Sequence, residues 1–309
     1  AGIVSILSVL KMYKRSQLFL SVAKVIIVYF VIYTSLSITH DGSIVSLDIN
    51  ILIQLAISGA LTLFAYPIIF LFEKIFSLVS DVSLLELTDT NSVLLRRLSE
   101  EAPGTFQHSL QVANLAEMGA LEIGANALLT RAGAIYHDLG KLKNPMYFIE
   151  NQSSNFNPHD EIEFDESAEI IINHVLDGIE IAKDNNLPDE LIDFIRTHHG
   201  TTTVQYFYKQ FIADFPKEDI DIKKFTYPGP KPYSKETAIL MIADSTEAAA
   251  RSLKNPTSEN IDALTESVIN KQIEENQFAN AAITFKEITQ LKKLYKKKLV
   301  NIHHTRVEY

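Results

Sequence analysis

Two runs of apolar residues, Leu18 to Ser37 and Ile51 to Phe72, constrain this chain more than any other feature. Each comes close to the roughly 20 residues a helix needs to cross a bilayer. Lipid offers a peptide group no hydrogen-bond partner, so each run must satisfy its backbone internally, as a helix. Both are expected to span a membrane, which makes residues 1–72 the C-terminal part of a transmembrane region. The chain opens at Ala1 and runs at once into a further apolar stretch ending at Leu10, which reads as the interior of a longer protein. No basic start precedes that stretch, so it lacks the form of a signal peptide.

Charge orients the pair. Lys11, Lys14 and Arg15 lie before the first run, whereas the loop from Ser37 to Asn50 carries Asp41 and Asp48 and no Lys or Arg. Basic residues collect on the cytoplasmic side. The expectation is that Lys11 to Arg15 face the cytoplasm, that His40 and Asp41 lie outside, and that everything from Glu73 onward is cytoplasmic. Lys24 sits near the inner end of its run, where a long side chain can snorkel to the interface. Pro67 is a candidate kink in the second.

The remaining residues suffice for a connecting segment and one domain, since domains usually run to about 100–200 residues. Over residues 73–101, Leu84, Leu85, Leu87, Leu94, Leu95 and Leu98 are punctuated by acids and by Arg96 and Arg97, the pattern of an amphipathic connecting helical segment. Pro103 and Gly104 break it. Helical patterns then follow over roughly 106–123, 126–139, 165–184, 188–199, 204–214, 235–253, 257–273 and 280–300, separated by short polar or Pro-containing loops. No run of alternating strands occurs, so residues 102–309 are expected to form an all-α domain.

The chain has no cysteine, which excludes disulfides, thiolate zinc sites and Cys nucleophiles, so any metal must be held by His, carboxylate or water. The net charge of −10 argues against a polymeric nucleic acid as partner, because that binding draws on many Lys and Arg contacts. A small anionic ligand remains compatible where local cations receive it.

His137 and Asp138 follow the apolar helical run through Ala132 and Ile135 and precede Gly140, placing the pair where a helix is about to end with Gly140 as its cap. One such pair is a weak signal. His108, His174, His198, His199 and Asp244 each belong to a separate helical pattern or its end and each shares a face with apolar residues. Asp244 ends the run from Ala238 through Ala243, and an unpaired carboxylate there would cost several kcal/mol to bury, so it calls for a cation. A single His on such a face is more often a core side chain bonded to a carbonyl. Five of the nine His fall on these faces, leaving His40, His159, His303 and His304 in loops or the tail, and that joint occurrence reverses the expectation. Five imidazoles and two carboxylates exceed what one ion takes but suit two ions sharing a carboxylate, for which Asp138 is the natural bridge.

This ordered set resembles the HD superfamily of metal-dependent phosphohydrolases. The segments EAPGTFQHSLQVANLAE, YHDLGKLKNPMYFIENQ, NPHDE, INHVLDGIEIAK, THHGTTTVQYFY and YSKETAILMIADSTEAAARSL are similar, more narrowly, to the membrane-anchored 7TM-HD family that hydrolyses cyclic di-AMP. The resemblance runs from about Asp81 to near the C-terminus, and the preceding spans fit it as the last of seven. Gln107 departs from it, standing where relatives would often carry a second His. Related HD-GYP enzymes would continue the HH pair with an acid and a Gly-Tyr-Pro motif, whereas His199 is followed here by GTTTVQYFY.

The resemblance implies an α-helical HD bundle in the cytoplasm of a bacterial cell, tethered to the membrane as part of a multi-pass protein. It implies two divalent transition metal ions, manganese or iron, one held by His108, His137, Asp138 and Asp244 and the other by Asp138, His174, His198 and His199. Its reaction would open cyclic di-AMP to linear 5′-pApA through a hydroxide that both ions generate from water, lowering the level of a second messenger. Lys141, beside the HD pair, and Arg251, about two turns after Asp244, are the candidate phosphate contacts. The bilayer is the expected further partner, and a homo-oligomer is compatible with the sequence. Two alternatives stay open: an HD hydrolase of another nucleotide phosphoester, and a membrane receptor that binds a nucleotide without turnover.

Overall fold

The computed structural model describes residues 2–9, 17–41, 47–76, 78–152, 156–215 and 221–304. They form two compact units, Ala1–Leu87 and Thr88–Tyr309. Among the described residues there is no strand, only an isolated antiparallel bridge between Thr203 and Thr226.

The first unit contains α1 (Gly2–Val9), α2 (Gln17–Asp41), α3 (Ile49–Thr62), α4 (Ala65–Phe76) and α5 (Asp81–Leu87). Phe19–His40 and Ile49–Phe76 are long and apolar enough to cross a membrane. Their large apolar side chains, including Leu20, Ile27, Val31, Leu36, Ile53, Ile57 and Leu61, are exposed, as lipid-facing residues would be. Where α2 and α3 meet, Gly59 is buried, and a Cβ there would strike Ile26; small residues let helices approach closely in a bilayer. The second span is interrupted at Leu63 and Phe64, where Leu63 and Phe64 turn to bond Ala60 and Leu61. Pro67 explains the position: it has no N–H for the carbonyl of Leu63, and its ring crowds that carbonyl. Lys11, Lys14 and Arg15, on which the expected orientation rests, lie outside the described residues, as does the side chain of Asp41.

Past the end of α4, the connecting segment carries two short helices. Between α5 and α6 (Val93–Glu101), Asp89 accepts from the backbone N–H of Asn91 while Ser92 N–H donates to the Asp89 carbonyl, a turn that Asp and Asn favour. On α6 the buried Leu94, Leu95 and Leu98 oppose a charged face that includes an Arg97–Glu101 pair at 2.9 Å. α7 (Pro103–Ile123) starts earlier than its periodicity suggested, because Pro in the first turn needs no N–H partner, and it ends at the left-handed Gly124, φ +69°. α8 (Ala127–Tyr136) is capped by Asn126, whose side chain accepts from Leu129 N–H, and packs against α7.

α9 (Phe164–Asp184), α10 (Asp189–Thr197), α11 (Gln205–Asp214), α12 (Lys235–Arg251), α13 (Ser258–Glu274) and α14 (Phe285–His304) complete the domain. α12 is its axis. Ala238 through Asp244 are buried at every position, so this helix is surrounded, with α7, α8, α10, α13 and α14 packed against it. Its start is set by a capping box in which Ser234 and Thr237 exchange side-chain and backbone bonds. A buried helix so enclosed gives any polar side chain on it a fixed position in a low-dielectric interior.

Candidate metal centre

The His-Asp pair occupies the frayed end of α8. The helix closes at Tyr136; His137 keeps helical angles as its cap, while Asp138 leaves them at φ −103°, ψ 18°, and residues Leu139–Leu142 form a 3-10 turn. The two adjacent side chains can therefore converge, which mid-helix geometry would forbid. Gly140 does not cap the helix as expected. It sits inside the 3-10 turn, where a Cβ would meet the backbone of His174 and Gly178, so its role is to admit α9 against the turn.

α7 supplies His108, α9 supplies His174 and α12 supplies Asp244, all buried. His198 caps α10 and the partly exposed His199 follows it, the chain then turning at Gly200 with φ +52°. These side chains form two groups, Asp138 with His174, His198 and His199, and His108 with His137 and Asp244, each with its ligand atoms within 4.8 Å of one another. Asp138 stands between them. Its Oδ2 lies 3.2 Å from His137 Nε2 and 3.7 Å from His108 Nε2, while its Oδ1 lies 3.4 Å from His174 Nε2 and 3.6 Å from His198 Nε2. Asp244 Oδ1 completes the first group at 3.0 Å from His108 Nε2 and 3.6 Å from His137 Nε2.

The rings are held from behind. His137, His174 and His198 each donate Nδ1–H to the carbonyl three residues earlier, those of Ala134, Ile171 and Ile195 at 2.7, 2.5 and 2.7 Å. A carbonyl can only accept, so each Nδ1 carries the proton and each Nε2 faces the centre. His108 Nδ1 instead meets Glu247 Oε2 at 2.5 Å. His199 stacks on Tyr227 with ring centroids 4.2 Å apart.

The electrostatics divide the groups in the same way. Burial and the neighbouring His137 pull the His198 pKa down to about 3, and burial with His198 holds His199 well below the usual imidazole range, so both stay neutral. Burial would also depress His137, but Asp138 and Asp244 outweigh it and raise its pKa to about 10. Against their own burial, Asp138 is held well below the carboxylate range by His137 and Lys141, and Asp244 by His108 and His137. Two buried carboxylates thus keep their charge and draw protons onto facing imidazoles, which is the behaviour of a site built for a cation.

His137 Nε2 and both carboxylate oxygens of Asp138 are buried without a hydrogen-bond partner, a costly arrangement that divalent ions at the centre would relieve.

Lys141 closes one side of the centre. Its Nζ is 2.8 Å from Asp138 Oδ2, a charge contact and not an aligned hydrogen bond, and it donates to Glu150 Oε1 at 2.7 Å. Burial opposes its charge, but Asp138 and Glu150 raise its pKa above the ordinary lysine value. Arg251 is further out, 39% exposed and 4.0 Å from Glu247 Oε2. Gln107 is exposed on α7 whereas the adjacent His108 is buried, so this departure falls on the helix surface. Sequence reasoning missed Glu247, Glu150 and Tyr227. Glu247 had a signal, as a second acid one turn past Asp244 on an otherwise apolar helix face; Glu150 and Tyr227 lie in irregular segments where periodicity says nothing.

A helical domain in which a His-Asp pair meets His and Asp side chains from four further helices defines an HD domain, and the family model of that description matches residues 105–249. Taken with this domain and the apolar helices before it, the match of residues 1–80 to the model described as 7TM receptor with intracellular HD hydrolase shows that the chain belongs to that family of membrane proteins. The whole chain is similar to the cyclic-di-AMP phosphodiesterase PgpH of Bacillus subtilis (strain 168), 39% identical over 314 residues and covering 44% of that protein. PgpH of Listeria monocytogenes serotype 1/2a is 37% identical over 311 residues, with 43% of its length covered. The chain therefore spans less than half the length of these curated relatives. The crystal structure of the L. monocytogenes PgpH HD domain in complex with cyclic-di-AMP superposes with a TM-score of 0.66 and 43% identity, covering 71% of this chain and all of that one. HD membership and the His/Asp cluster make the domain dependent on divalent metal.

Proposed function

We propose that this chain carries a phosphodiesterase that hydrolyses cyclic di-AMP to linear 5′-pApA, with the HD domain in the cytoplasm and the preceding helices as part of a multi-pass membrane anchor. The observation that carries the reading is Asp138, whose two oxygens face two separate ligand groups. One ion would be held by His108, His137, Asp138 and Asp244, the other by Asp138, His174, His198 and His199. Mixed imidazole and carboxylate ligands without thiolate suit manganese or iron. Bound there, two such ions would lower the pKa of a water and neutralise phosphate oxygens.

The protein's own part is positioning and electrostatics. The Nδ1 bonds fix the rings, so the ligand atoms need no rearrangement on loading. Lys141, held between Asp138 and Glu150, places a permanent positive charge at the edge of the centre, where it would receive a phosphate oxygen; Arg251 would do so from further out. Water attacks phosphorus in line with the 3′ oxygen, the P–O3′ bond breaks, and the leaving oxygen takes up a proton. No covalent enzyme intermediate is required.

The test is turnover by the full chain in detergent, with manganese or ferrous iron, of cyclic di-AMP beside cyclic di-GMP. Appearance of pApA supports the reading; a protein that holds two ions and cleaves neither dinucleotide refutes it. Metal should also stabilise the fold: at a free ion concentration about 100 times the Kd, manganese is expected to add about 2.7 kcal/mol, read as a rise in thermal midpoint of the chelator-treated protein. An unmoved midpoint would instead favour a structural role for the buried His and Asp side chains. Lys141→Met, which keeps the stem and removes the charge, is expected to reduce kcat/KM about 10²-fold. Unchanged steady-state kinetics would remove Lys141 from the site.

A further inference from the structure

The buried imidazoles of the centre are not all held in the same way. For His137, His174 and His198 the proton on Nδ1 goes to a carbonyl three residues back on the same stretch of chain. His108 is the exception: its Nδ1 meets a carboxylate oxygen of Glu247, contributed from α12 across the packed α7–α12 contact. Both side chains are enclosed, His108 2% and Glu247 4% exposed. Arg251, 39% exposed, comes no nearer than 4.0 Å to Glu247 Oε2, whereas His108 Nδ1 lies 2.5 Å from it, so Glu247 is held against the imidazole. One helix thus delivers Asp244 to the front of His108, at 3.0 Å from Nε2, and Glu247 to its back.

We propose that Glu247 is a positioning residue that makes the His108–His137–Asp244 subsite the tighter of the two, so that it fills first. The inference rests on the two-ion reading above. Around that subsite the carboxylates are Asp244, one oxygen of Asp138 and Glu247 behind the ligand; around the other they reduce to the second oxygen of Asp138, with His174 and His198 backed by carbonyls. A carboxylate accepting from Nδ1–H makes Nε2 a more basic donor and holds the ring in line, and losing such a partner typically lowers metal affinity about 10- to 100-fold. A carbonyl partner orients the ring but brings no charge.

Manganese titration of the chelator-treated full chain, followed by calorimetry and by the electron paramagnetic resonance of bound ions, separates the steps. The unaltered protein is expected to take up two ions in sequence. Glu247→Gln should weaken the first step about 10- to 100-fold while leaving the second in place, so that the two merge. Two-step uptake that Glu247→Gln leaves unchanged overturns the ranking alone; uptake of a single ion by the unaltered protein overturns the two-ion reading and the ranking with it. A second measurement needs no variant. In the zinc-loaded protein the Nδ1 proton of His108 should resonate well downfield of those of His137, His174 and His198, and coincidence with them would count equally against the proposal.

Discussion

On the two-ion phosphodiesterase reading proposed above, replacing Asp138 with alanine is expected to lower cyclic di-AMP turnover by on the order of 10⁴-fold and to reduce the metal content from two ions towards one or none. The size follows from the geometry. Asp138 presents Oδ2 to His108 and His137 and Oδ1 to His174 and His198, so one truncation removes a ligand from both groups at once. It also leaves Lys141 facing Glu150 alone, in an interior where a charge without its partner is costly. Asp138→Asn separates shape from charge: it fills the same space, yet its neutral amide cannot bridge two cations, and it should fall nearly as far. Metal analysis and steady-state kinetics on the same samples decide the matter. Retention of two ions and of a tenth of the activity by either variant would falsify the bridging role.

Gly140→Ala should produce the largest effect on folding, with a loss of about 3 kcal/mol or more. A Cβ at Gly140 would fall on the carbonyl oxygen of His174 and close to the N–H of Gly178, both main-chain atoms of α9. Main chain cannot swing aside as a side chain can, so α9 would have to move away, carrying His174 with it. For a domain of this size each kcal/mol corresponds to about 2–4 °C, so the thermal midpoint should fall by about 6–12 °C. Gly133→Ala is a useful contrast, since the atoms nearest its Cβ belong to the side-chain ring of Phe194 and not to main chain. A Gly140→Ala protein that melts with the unaltered one would show that the 3-10 turn and α9 are not locked together.

The two effects connect stability to chemistry through one short stretch. Residues His137 to Lys141 hold a buried imidazole of the centre, the carboxylate that faces both ligand groups, the glycine that admits α9, and the lysine beside that carboxylate. A change in any of them acts on the others, because the turn is packed against α9 by backbone contact and leaves no slack to absorb a shift.

Much of this was legible in the chain alone. Helical periodicity placed α9 to α14 because apolar spacing reports a buried face whatever it is buried against. The metal-facing residues stood out because buried His and Asp side chains are expensive without partners, and so many on apolar faces called for a shared explanation. The misreadings have equally physical causes. Gly140 looked like a helix cap because glycine has two uses, and only the distance to His174 shows that close approach, not a left-handed turn, is the one in force. In the connecting segment, leucine spacing marks helical character but is blind to the turn that Asp89 makes with Asn91 and Ser92.

What the sequence determined by itself is therefore what local chemistry dictates: apolar lengths that suit a bilayer, an all-α domain, and a set of metal-ligating residue types in order. The tertiary structure alone supplies the distances that gather these side chains into two groups around Asp138, and the contacts that bring Glu247 and Tyr227 to them. Glu247 lies 139 positions from His108 along the chain. Periodicity extends over one helix at a time, whereas a metal centre is assembled by helices that meet only when the whole core is packed.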